Sequence, residues 1–73
     1  MDGPAEFRFG AATCKIFIPD GGLGDYTAIE RSLGLTGVNI LDATGSATVP
    51  LSMVRPGGVY LVTGARTSFQ SLI

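Results

Sequence analysis

Apolar residues recur at two spacings along the chain, and Gly and Pro separate the segments in which each spacing holds. Glu6-Phe7-Arg8-Phe9 alternates polar with aromatic, the period of two of a half-buried strand, and puts Phe7 and Phe9 on one face. Thr13 to Ile18 alternates likewise, with Cys14, Ile16 and Ile18 on one side and Lys15 and Phe17 on the other. Gly10 and a few small residues separate these runs, which predicts an antiparallel hairpin. After Pro19-Asp20-Gly21-Gly22 the spacing changes. Tyr26, Ile29 and Leu33 share one face of a helix over 26–33, with Glu30, Arg31 and Ser32 toward water. Asp25 is placed to cap its free amides, and Gly34 supplies a left-handed residue after the last turn. So short a helix is marginal alone in water and must pack on the sheet.

Val38-Asn39-Ile40-Leu41 returns to strand spacing, followed by a turn at Asp42-Ala43-Thr44-Gly45 and a short extended piece over 46–51. Pro50 has no amide to donate, so that piece is expected to be an edge or to leave the sheet at that point. Val59-Tyr60-Leu61-Val62-Thr63 is apolar nearly throughout, which predicts a central strand, ended by Gly64. With Phe7, Phe9, Cys14, Ile16, Ile18, Val38, Ile40, Val59 and Leu61 facing the helix, alternation sends Arg8, Lys15, Phe17, Asn39, Leu41, Tyr60 and Val62 to the opposite face. Phe17, Leu41, Tyr60 and Val62, rimmed by Arg8 and Lys15, then form the candidate protein-binding surface. The competing expectation is that the last residues fold back and cover it with Phe69, Leu72 and Ile73.

Composition narrows the function classes. Seventy-three residues allow one domain with one modest core. At 45% hydrophobic and 15% charged the chain is too apolar to be a disordered tail. A net charge of −1 leaves no basic footprint for nucleic acid. No His and a single Cys remove the multi-Cys/His zinc sites and every His-based acid–base scheme, so no metal, no cofactor and no enzyme activity is expected. One thiol also forms no internal disulfide, which fits a reducing, cytoplasmic compartment. No export signal and no apolar run of membrane-spanning length is visible, so no membrane partner is expected.

The sharper motifs have plainer readings. Gly21-Gly22-Leu23-Gly24 before a helix invites a phosphate loop, but its spacing matches neither nucleotide fingerprint and no Lys follows. Cys14 reads as a buried, inert thiol. Asp20, Asp25, Glu30 and Asp42 occupy turn, cap and exposed helix positions rather than a paired catalytic site. Ser71-Leu72-Ile73 has the pattern that C-terminal carboxylate pockets read, a pattern common by chance.

The order strand, strand, helix, strand, short strand, strand resembles the ubiquitin-like β-grasp superfamily over residues 6–64. The likeness rests on the hairpin Phe7 to Ile18, the helix Tyr26 to Leu33 and the closing stretch from Leu51 through Arg55-Pro56-Gly57-Gly58 to Val62. It implies an α+β fold with a mixed four- to five-stranded sheet and one helix on one face, occupying residues 1–64, with 65–73 a tail or the start of a linker. Within the superfamily, Val38 to Gly45 and Gly58-Val59-Tyr60-Leu61-Val62-Thr63-Gly64 look most like the doublecortin-type branch. Ubiquitin-like modifiers end in Gly-Gly. This chain runs Gly64-Ala65-Arg66, so conjugation is not expected. The resemblance implies a non-catalytic interaction module or scaffold, the N-terminal ubiquitin-like domain of a larger protein, binding another protein or itself through the outer sheet face. The alternative it implies is a cytoskeletal, microtubule-associated module using Arg8, Lys15 and Arg55.

Overall fold

In the computed structural model, which describes residues 2–66, strands β1 (Gly3–Phe9) and β2 (Ala12–Ile18) are joined by Gly10 and Ala11 alone. Gly10 has φ 58°, the positive value that the first position of a II′ hairpin turn needs. The strands pair antiparallel from Phe9↔Ala12 to Gly3↔Ile18. Helix α1 (Thr27–Leu33) leads to β3 (Leu35–Leu41), then a 3-10 turn (Leu51–Met53) and β4 (Val59–Arg66). β4 lies between β1 and β3, parallel to the first and antiparallel to the second, so the sheet order is β2-β1-β4-β3. This is the expected mixed sheet with one packed helix, an α+β, β-grasp-like topology.

The order explains where the helix lies. β2 and β3 are the two edges, and α1 connects them while packing against both, so it crosses the whole inner face. Asp25 Oδ1 accepts the Thr27 amide at 3.0 Å, and Gly34 ends the helix in the left-handed conformation, φ 69°. Ile29 is fully buried between helix and sheet.

The core comprises Ala5 and Phe7 from β1, Ile16 and Ile18 from β2, Ile29, then Leu35, Val38 and Ile40 from β3, Val54, and Tyr60 and Val62 from β4. Two expectations are corrected here. Tyr60 and Val62 point inward, not outward, while Val59 and Leu61 are only half-buried and take the outer face. Register requires it: Tyr60 pairs with Phe7 and Val62 with Ile40, and directly paired residues share a face. The Tyr60 and Phe7 rings stack at 5.6 Å, and the Tyr60 hydroxyl accepts the Arg55 amide at 2.9 Å. Second, β4 does not stop at Gly64 but continues to Arg66, pairing Ala65 with Thr36 and Arg66 with Leu35. Arg66 places its guanidinium over the Phe9 ring, 5.6 Å from the centroid.

The second hairpin is smaller than expected. Among the described residues it consists of one bridge, Leu41↔Thr48, with Asp42 donating to the Ala47 carbonyl and Val49 to that of Ile40. β3 in turn begins earlier than its pattern predicts. A bulge between Thr36 and Asn39, with Gly37 at φ 63°, shifts the register so that Leu35 reaches the core beside Val38 and Ile40.

Gly58 is required for space. A Cβ there would meet the Tyr60 ring and hydroxyl at 2.5–2.7 Å, and the ring is held by Phe7 and Arg55. Gly58→Ala is expected to cost about 1–3 kcal/mol in urea unfolding, as overpacking does. Tyr60→Phe, which removes only the hydroxyl, should lose no more than about 1–3 kcal/mol.

Candidate functional site

The face of the sheet turned away from α1 is built in rows by strand register. One row runs Thr13, Arg8, Leu61, Leu41 across all four strands. The next holds Lys15, Glu6 and Val59, and a third holds Phe17 beside Pro4. Of the residues expected on this surface, Arg8, Lys15, Phe17 and Leu41 are there together, and Tyr60 and Val62 are not. Val59 and Leu61 stand in their place, and no alternation signal in an all-apolar run could have separated the two sets. Phe17 is 59% exposed, which is unusual for a phenylalanine within a strand.

Charge and aliphatic surface divide the face between them. On the β2 and β1 side the Arg8 Nε donates to Glu6 Oε2, and Lys15 sits across from Glu6. On the β4 and β3 side lie Val59, Leu61 and Leu41. The turn after β3 leans onto them: a Cβ on Gly45 would come within 3.3 Å of Leu61 Cδ1.

That turn is organised by one carboxylate. Asp42 Oδ1 accepts from the Thr44 hydroxyl at 2.7 Å and from the Thr44 and Ser46 amides at 3.1 and 3.0 Å. These bonds favour the ionised form, the Thr44 hydroxyl foremost and the Ser46 amide next, and hold the Asp42 pKa below its ordinary value. A depressed folded pKa adds stability that is present above the unfolded pKa and lost as pH falls through the folded one. Stability should therefore decline on acidification below the ordinary carboxylate range. The decline should be smaller in Asp42→Asn, which keeps an acceptor oxygen without titrating; urea midpoints against pH for both chains check this.

The remaining candidates are placed as follows. Arg55 lies on the rim of an open cleft of about 400 Å³ with Asp20 and Ser52, above Ile18 and Val54. In the glycine loop the Gly22 amide donates to the Pro19 carbonyl, closing a turn. Cys14 is half-buried, and burial raises its thiol pKa, which makes its thiolate scarcer at neutral pH. Among the described residues no group of three or more Cys, Asp or Glu side chains is placed to hold a metal, and no helix is long and apolar enough to cross a membrane. Phe69 and the Ser71-Leu72-Ile73 triplet lie outside the described residues. Comparison of the chain with protein families, with curated proteins and with solved structures finds no match.

Proposed function

We propose that this chain is a non-catalytic protein-interaction domain of the ubiquitin-like kind, docking another protein chain through the outer face that bears Phe17, Leu41, Val59 and Leu61, with Arg8 and Lys15 at its basic side. The observation that carries this reading is the 59% exposure of Phe17 on the same sheet face as three half-buried aliphatic residues. A solvated sheet face needs no aromatic there, whereas apolar surface with a polar border is the composition of a docking surface. The β-grasp-like topology supports it, because one sheet face is left uncovered by the helix.

Photo-crosslinking tests the reading. A benzophenone amino acid at position 17 or 41 should capture one and the same protein, and the same group at Met53, an exposed apolar position on the 3-10 turn, should not. Apolar docking should persist at about 0.5 M salt, where the Debye length falls well below about 8 Å. Capture that collapses at that salt would instead assign the binding to Arg8, Lys15 and Arg55, as in the cytoskeletal alternative. Equal capture from position 53 would contradict the reading.

A further inference from the structure

We propose that the β2 edge of the sheet takes up an extended, acidic segment of another protein as an added antiparallel strand. Such a strand bonds main-chain groups along one side of the sheet, apart from the side-chain contacts proposed for the outer face.

Backbone geometry shows which groups are free. The Glu6 amide donates to the Gly58 carbonyl and the Pro4 carbonyl accepts from the Gly57 amide, so both residues turn their main-chain groups toward the β4 side. Main-chain direction alternates along a strand, which leaves Ala5, Phe7 and Phe9 to bond β2 and makes Glu6↔Lys15 and Pro4↔Phe17 pairs without hydrogen bonds. The two-residue turn agrees, since it closes on the bonded pair Phe9↔Ala12. Thr13, Lys15 and Phe17 therefore aim their N–H and C=O groups away from the sheet, and no described backbone group bonds them there.

The two edges of the sheet differ. β3 is broken by the bulge between Thr36 and Asn39, and its end is covered by Thr48 and Val49. β2 pairs without a shift over all seven of its residues and contains neither Gly nor Pro, so it is a regular template for another strand. Lys15 sets the chemistry of that strand. It is the central residue of Ala12–Ile18, exposed and without an ion-pair partner among the described residues, while Glu6 across from it is engaged by Arg8. An antiparallel strand in register puts one residue directly opposite Lys15 on the same face, and the residue two positions earlier opposite Phe17. An acid at the first and an apolar side chain at the second complement what β2 offers. A second copy of β2 in that register opposes Lys15 to Lys15, and like charges directly opposite work against pairing.

Amide hydrogen exchange of the full chain, read residue by residue by NMR, tests this with a capped heptapeptide of Thr that carries Glu at its centre and Ile two positions before it. With the peptide at about ten times its Kd, the Thr13, Lys15 and Phe17 amides should slow about tenfold, while those of Leu41 and Leu61 stay as they were. N-methylation of the peptide's Glu, which removes the amide facing the Lys15 carbonyl, should weaken binding at least about tenfold. Replacing that Glu by Lys should weaken it at least about threefold, and Lys15→Glu should reverse the preference, which also shows that the variant folds. No binding at millimolar peptide overturns the proposal, and leaves the outer face to the crosslinking at position 41. Binding that protects none of the three β2 amides, or that ignores the N-methyl group, overturns it, as does equal binding of the Lys peptide. Slowed exchange of the same three amides in the concentrated chain alone would put a second copy on the edge and overturn the acidic occupant.

Discussion

Tyr60→Ala is expected to lower stability by about 3–5 kcal/mol, the range for removing a large aromatic side chain from a core. A domain of this size holds on the order of 5 kcal/mol in total, so the variant keeps only about 0–2 kcal/mol, and from a few per cent to about half of it should be unfolded at room temperature. Three losses combine. The ring stacks on Phe7, and its removal opens a cavity at the junction of β1 and β4, the parallel pair that closes the sheet. The Arg55 amide loses the hydroxyl it donates to. Gly58, whose bare Cα accommodates the ring, keeps its flexibility with nothing left to pack on it. Circular dichroism during urea titration reads the effect. An unchanged midpoint would place the ring on the surface and shift β4 by one residue.

Ile29→Ala should cost about 2–5 kcal/mol, for a different reason. Ile29 is the one buried residue of α1, and seven residues of helix have too few internal hydrogen bonds to persist without it. The helix ties β2 to β3 across the inner face, so the loss should appear as cooperative unfolding of the whole domain. A helix that melted while the sheet signal remained would show instead that the strands stand without it.

The sequence announced its elements wherever polar and apolar residues alternate. Phe7, Ile16, Ile18, Val38 and Ile40 face the core as their spacing requires, and Gly34 ends the helix where a glycine is needed. Legibility ended where alternation did. Val59-Tyr60-Leu61-Val62 is apolar on both faces because the outer face of this sheet is itself partly apolar, so periodicity could not fix its phase. The usable signal lay outside the run, in Gly58, two residues before Tyr60 and on its face. Leu35 was hidden for another reason. Between Gly34 and Gly37 it reads as loop, and only the bulge at Gly37 brings it into line with Val38. Four of the six candidate surface residues therefore share the outer face, and the two drawn from β4 belong to the core.

The central claim is that the outer sheet face is where this domain meets another chain, and photochemical carbene labelling tests it most directly. The full chain would be labelled alone and again with the protein that crosslinks at position 17, with each residue read by mass spectrometry. The account predicts that Phe17, Leu41 and Leu61 are labelled when free and protected on assembly, while Met53, 53% exposed on the 3-10 turn, is labelled equally in both. Protection of Met53 with Phe17 labelled as before would contradict it.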